Sequence, residues 1–241
     1  MYGLDLFSGY GGISLALKDY VRPVVYCEIE RYAQGILLSQ ISRGSLPFAP
    51  IWDDVSTLRG DDVGSVDIIY GGFPCQDISV AGNGDGLGGK RSGLFFELLR
   101  LVEEIRPPWV FLENVPAIKT RGLLTVVRSF TDLRYDCRWT RVSAQEVGAN
   151  HIRERWFLLA HANSERLERQ RQESSGIESE LQNFSNLCGW EVEPGVGRVA
   201  NGVTARLDRV KALGNGVVPL QAKIAFERIM GIELEAGDGR G

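Results

Sequence analysis

Three short apolar runs in the first half of the chain each stop on a polar residue beside glycine or proline. Tyr2 to Phe7 leads into Ser8-Gly9-Tyr10-Gly11-Gly12. Val66-Asp67-Ile68-Ile69-Tyr70 leads into Gly71-Gly72-Phe73-Pro74-Cys75. Trp109-Val110-Phe111-Leu112 leads into Glu113-Asn114-Val115-Pro116. Runs of this kind, bounded by breakers, predict buried strands. Between the second and third runs, Leu94, Phe95, Leu98, Leu99, Val102 and Ile105 recur at helical spacing, and Pro107-Pro108 end that helix. Strands alternating with helices predict an α/β sheet, which takes its ligands at the carboxyl ends of its strands. In this reading Gly71 and Gly72 break the second run sharply and leave Cys75 at that rim, with Glu113 beside it.

The first loop follows a strand and opens a helix through Ile13-Ser14-Leu15-Ala16-Leu17, the layout of a nucleotide-type site. Its spacing, G-x-G-G, is not that of a dinucleotide fingerprint. Val24-Val25-Tyr26-Cys27 reads as the next strand and ends on Glu28, placed either to hold ribose hydroxyls or to sit in the first turn of a helix. The order of loop and then acid favours the ribose. Asp53-Asp54-Val55 offers a carboxylate for an adenine amino group or a helix cap, and the stretch alone does not decide.

Residues 79–91 contain five glycines and an asparagine and close on Lys90-Arg91, a composition suited to a lid over a site rather than to a core. Glu113 is either a solvated strand-end acid or, if buried, a carboxyl whose raised pKa lets it donate a proton near neutrality. Leu123 to Phe130 reads as a helix. Tyr135 to Val142 and Trp156 to Ala160 read as a hairpin joined through residues 148–155. Residues 163–204 turn polar and lose periodicity. Leu220 to Met230 reads as a last helix, with a frayed tail from Glu233.

Four cysteines without a C-x-x-C pair, and two histidines, predict neither a disulfide framework nor a metal site. Cys27 and Cys137 read as small buried hydrophobes. No apolar run is long enough for a bilayer and the first residues do not resemble a signal peptide, so the cytoplasm is the expected compartment. The net charge of −4 argues against an overall basic surface. Residues 138–171 nevertheless carry seven arginines against four glutamates, a solvated face or a local phosphate-binding stretch.

Assembled in order, these residues resemble the DNA cytosine-5 methyltransferase family. Asp5-Leu6-Phe7-Ser8-Gly9-Tyr10-Gly11-Gly12 is similar to its cofactor loop and Phe73-Pro74-Cys75-Gln76 to its nucleophile motif. Glu113-Asn114-Val115 is similar to its acid motif, Arg153-Glu154-Arg155 to its paired arginines, and Gly214-Asn215-Gly216-Val217-Val218-Pro219 to its last motif. One tetrapeptide is weak; five in the family's order are specific.

The resemblance implies a Rossmann-like methyltransferase sheet, mostly parallel, with helices on both faces and an antiparallel hairpin near its C-terminal part. Residues 1–162 and 205–241 would form the catalytic domain and 163–204 a short target-recognition region. It implies S-adenosylmethionine, cradled by Phe7, Gly9, Tyr10 and Gly12, with Glu28 on the ribose, Asp54 and Val55 on the adenine, and Pro74, Leu94 and Asn215 completing the pocket. Cys75 would attack carbon 6 of a flipped cytosine, Glu113 would protonate N3, and Arg153 with Arg155 would favour the thiolate and hold O2. Gln76, Ser79, Lys90, Arg91, Asn114 and His151 would face the DNA. The implied partner is double-stranded DNA, bound by a monomer near the nucleoid, in a restriction–modification, phage or orphan context where any cognate endonuclease acts separately. Two departures stand out: His151 occupies a position where the family usually has glutamine, and 163–204 is short for a recognition region. A tRNA cytosine-5 methyltransferase and a catalytically weak DNA-binding homologue are the alternatives.

Overall fold

The computed structural model describes residues 1–74, 93–163 and 217–231. In chain order they form β1 (Tyr2–Leu6), α1 (Gly12–Ala16), β2 (Arg22–Cys27), α2 (Arg31–Ser42), β3 (Ile51–Trp52), α3 (Gly60–Val63) and β4 (Ile68–Gly72). Then come α4 (Leu94–Ile105), β5 (Trp109–Asn114), α5 (Ile118–Arg121), α6 (Leu123–Asp132), β6 (Tyr135–Ser143), β7 (Glu154–Ala162) and α7 (Pro219–Met230). The seven strands make one sheet in the order β3-β2-β1-β4-β5-β7-β6. Pairings from β3 through β5 are parallel; β5–β7 and β6–β7 are antiparallel. This is the expected α/β sheet with its late hairpin.

The central strands are apolar at nearly every position because both faces are covered. Ile69, Val110, Leu112 and Leu158 face a layer built by Phe95, Leu98 and Val102 of α4 and Val126 and Phe130 of α6. Their neighbours Ile68, Tyr70, Phe111 and Phe157 face the other layer, with Ile13 of α1 and Ala222, Phe226 and Ile229 of α7. Phe111 and Phe157 stack at 5.8 Å, and Phe226 meets Phe111 edge-on at 5.2 Å. Helix α7, last in the chain, therefore packs against the strands that carry the candidate site.

One expectation about β4 is corrected. The strand does not break at Tyr70: Gly71 pairs with Leu6 on one side and Leu112 on the other, and Gly72 pairs with Glu113. A Cβ on Gly71 would stand 2.0 Å from the Leu6 carbonyl oxygen. The glycine permits a close approach of two strands inside the ladder. Of residues 163–204, all but Asn163 lie outside the described residues, as do 205–216 and the tail from 232, so the expected recognition region is among them.

Candidate active site

The loop from β1 to α1 builds one wall of a cavity of about 450 Å³ at the carboxyl rim of the sheet. Phe7 and Gly9 both take positive φ, 56° and 54°, and Gly11 follows at 78°. For a bulky residue such as Phe7 this conformation is costly, and such cost concentrates where a site needs a particular backbone. The loop is held by Ser8, whose Oγ donates to the Asp5 carbonyl at 2.9 Å and whose backbone N–H donates to the Cys27 carbonyl at 3.0 Å. Gly12 leaves room for Val217 just before α7: a Cβ there would come within 2.8 Å of Val217 Cγ1.

Glu28 is buried at the end of β2. Its carboxylate accepts the Gly9 N–H at 2.7 Å and the Glu30 N–H at 2.8 Å, which ties the tip of β2 to the first loop. Asp54 lies beyond β3, with Oδ1 accepting from the Ser56 backbone N–H at 2.9 Å and the Ser56 hydroxyl at 2.7 Å. Those bonds hold its carboxyl below the usual range. The helix cap weighed for Asp54 does not form, since Arg59 precedes the next helix; its carboxylate closes a turn at Ser56 instead, and the residue also lines the cavity.

Phe7, Gly9, Tyr10, Gly12, Glu28, Asp54, Val55, Pro74 and Leu94 all border this cavity. Asn215, the remaining expected contact, lies outside the described residues. Glu113 borders the same cavity from β5. It is 8% exposed, and its Oε1 pairs with Arg155 Nε at 2.7 Å. Burial pushes its carboxyl up to about 7, against the pull of Arg155 and Arg153. The carboxyl lies over Gly72, where a Cβ would stand 2.7 Å from Oε2. Arg153 is half-buried, and burial together with Arg155 lowers its pKa.

Other expected residues stand elsewhere. Asn114, expected to face DNA, is buried: its Nδ2 donates to the Phe73 carbonyl at 2.9 Å and its Oδ1 accepts the Val115 N–H at 2.8 Å. It fixes the segment that leads into Cys75. His151 is exposed and is not among the residues bordering the cavity. Cys75, Gln76, Ser79, Lys90 and Arg91, with the expected lid, lie outside the described residues; the described chain stops at Pro74, on the cavity wall. Arg138 and Arg141 are exposed as the charge run suggests, but Asp136, Glu146 and Glu154 are exposed among them. Cys27 is buried as expected, whereas Cys137 is only partly so.

Two further residues border the cavity: Ile29, for which the sequence suggested nothing, and Asp5, which it suggested only as the start of the cofactor-loop motif. Asp5 is 1% exposed on β1. Its Oδ2 accepts from Ser14 Oγ at 2.6 Å, the Tyr70 hydroxyl lies 2.7 Å from that Oγ, and burial raises the Asp5 carboxyl to about 7. An acid inside an otherwise apolar strand was the available signal. Ile29, 65% exposed, supplies an apolar wall beside Glu28; an apolar side chain following a strand-end acid carried little signal.

A profile of the C-5 cytosine-specific DNA methylase family matches residues 1–187. The chain is 32% identical over 235 residues to the type II methyltransferase M.CviJI of Paramecium bursaria Chlorella virus IL3A, covering 97% of this chain and 60% of that protein. It is 31% identical to M.HhaI of Haemophilus parahaemolyticus, over 66% of this chain and 49% of the relative. It thus spans 60% and 49% of these two relatives' length. Among solved structures, an E. coli prophage protein described as a DNA modification methyltransferase superposes with a TM-score of 0.53 at 29% identity, over 67% of this chain and 47% of that one. A Spodoptera frugiperda DNMT2 variant superposes at 0.56 with 19% identity, over 68% and 50%, a likeness of fold. With the cofactor-loop and acid motifs placed on one cavity and the profile spanning most of its length, the chain belongs to the C-5 cytosine-specific DNA methylase family.

Proposed function

We propose that this chain transfers a methyl group from S-adenosylmethionine to carbon 5 of cytosine in double-stranded DNA. The observation that carries the reading is that one cavity is bordered both by the glycine loop with Glu28 and by Glu113. Its volume of about 450 Å³ falls within the range of ~300–1,000 Å³ usual for small-ligand sites.

The residues suit the cofactor. Glu28, oriented by two backbone N–H groups, is the acceptor for ribose hydroxyls; Val55 and Ile29 supply apolar walls for a base; the first loop takes the amino-acid end. When bound, S-adenosylmethionine supplies an electrophilic methyl group. The chain's own part is to make carbon 5 of cytosine nucleophilic. The Cys75 thiolate forms a bond to carbon 6, the ring's electrons shift toward carbon 5 and N3, and N3 takes a proton from Glu113. Burial lifts the Glu113 carboxyl to about 7, toward the neutral range in which a proton donor is useful. Arg155 and Arg153 orient that carboxyl and place positive charge where the ring gathers negative charge. Once carbon 5 has lost its proton to a base, the carbon–sulfur bond breaks and Cys75 leaves. The target base must leave the duplex stack to reach this rim.

The names of the type II relatives favour a restriction–modification setting, with any endonuclease a separate protein. The test is transfer of labelled methyl from S-adenosylmethionine to duplex DNA and to tRNA, side by side, by wild type and Cys75→Ser. Transfer to DNA that Cys75→Ser abolishes is expected. Transfer to tRNA alone, or undiminished transfer by Cys75→Ser, would overturn the reading.

A further inference from the structure

Gln221 lies near the start of α7 and is fully buried. Its Nε2 donates to two backbone carbonyls, Val142 at 3.0 Å and Arg153 at 2.5 Å. These carbonyls belong to opposite sides of the β6–β7 hairpin, near the point where its ladder ends at Ser143 and Glu154. The Arg153 carbonyl also accepts the Ala144 N–H at 3.1 Å. One side-chain amide from the last helix therefore closes the mouth of the connection from which the arginine segment emerges. The Oε1 of the same amide has no partner among the described residues. An orphaned buried acceptor costs ~1–3 kcal/mol, and a leucine would fill the space without it. The two bonds the amide donates, each worth about 0.5–1.5 kcal/mol, offset that cost, so its net effect on stability is small.

What the amide secures is the backbone that aims two guanidiniums. Arg155 pairs with Glu113, and the charge of Arg153 also acts on it. From the other side β4 presents Gly72, which carries no charge, so among the described residues these two arginines are the charged groups acting on Glu113. We propose that Gln221 is a positioning residue for Glu113, acting through the Arg153–Arg155 segment; this rests on the methyl-transfer reading above. Without the amide the segment loosens, the guanidiniums withdraw, and Glu113 keeps its proton to higher pH while losing its orientation. A proton donor with higher proton affinity carries the upper limb of the pH–rate profile to higher pH.

The test compares wild type, Gln221→Leu and Gln221→Met, which keep most of the side-chain volume. Single-turnover methyl transfer is followed from pH 6 to 9.5, S-adenosylhomocysteine affinity by calorimetry, and stability by thermal unfolding. The expected result is an upper limb displaced upward by about one pH unit, within the ~1–3 units that opposite charges impose on a carboxyl. The maximal rate should fall, the affinity should stay within about twofold, and the melting temperature should change by no more than a few degrees. A wild-type profile in folded variants overturns the proposal. So does failure of both variants to fold, because the amide would then hold the fold rather than aim the arginines. If the wild-type chain transfers no methyl group, the methyl-transfer reading fails instead. The positioning claim is then decided by the Glu113 carboxyl titration, followed by carbon-13 NMR: an upward displacement in Gln221→Leu supports it and an unchanged midpoint overturns it.

Discussion

Replacing Arg155 with methionine probes the electrostatics of the site without reference to turnover. Arg155 and Glu113 are both buried and 2.7 Å apart, and Glu113 already stands near 7 instead of 4.5 with two arginines pulling it down. Removing one opposite charge at this range raises a carboxyl by a further ~1–3 units. Because the folded-state pKa is raised, the folded protein holds a proton that the unfolded chain has released. Stability therefore falls as pH climbs from about 4.5 to the folded pKa and then levels off. In wild type the fall ends near pH 7; in Arg155→Met it continues to roughly pH 8–10. Below pH 7 the two proteins differ by a constant. Above it the variant loses about 1.4 kcal/mol more per pH unit until it reaches its own folded pKa, roughly 1–3 kcal/mol in all between pH 7 and pH 9. Urea unfolding of both proteins at pH 6, 7, 8 and 9 measures this, with the same pair in a Glu113→Gln background. The growing difference should vanish in that background. A deficit that is equal at pH 7 and pH 9, or that grows equally without the carboxyl, would refute the reasoning.

Three further outcomes follow from other contacts. Burial of Asp5 makes wild-type stability decline from about pH 3.8 to about pH 7, so the melting temperature of Asp5→Asn relative to wild type should rise between pH 4.5 and pH 7.5; a constant offset contradicts this. Gly71→Ala places a methyl against the Leu6 carbonyl between two central strands and should cost at least ~3 kcal/mol, whereas Gly35→Ala, exposed on α2 with open space at its Cβ, should gain about 0.5–1 kcal/mol. Equal urea midpoints for these two variants would count against the packing described. Glu28→Ala orphans the Gly9 and Glu30 N–H groups and should weaken S-adenosylhomocysteine binding at least about tenfold by calorimetry; unchanged affinity would remove Glu28 from the site.

Much of this was legible because it is local. Breaker residues after apolar runs placed the strands and put the first loop, Glu28 and Glu113 at strand ends, while cavity-lining residues such as Pro74 and Leu94 came from the family resemblance. The exceptions are long-range. Gly71 and Gly72 look like a break in sequence, yet they are close approaches to Leu6 and Glu113, and nothing local tells the two apart. Asn114 looked like a polar strand-end residue available to a ligand, but its amide bonds the Phe73 carbonyl 41 positions earlier. Gln221 is one polar residue in an amphipathic helix, and its partners lie 68 and 79 positions away. Glu113 was ambiguous for a related reason: its role depends on burial and on Arg155, which only the antiparallel register of β5 and β7 supplies.

The central claim is that Cys75 attacks a cytosine whose N3 is served by Glu113. Duplex DNA substituted with 5-fluorocytosine at every cytosine offers a ring whose carbon 5 cannot release a proton, so attack leaves the sulfur attached. Incubation with S-adenosylmethionine followed by peptide mass spectrometry should find the adduct on Cys75, and in much lower yield for Glu113→Gln. No adduct, an adduct on another residue, or equal yield from the two proteins would contradict the account.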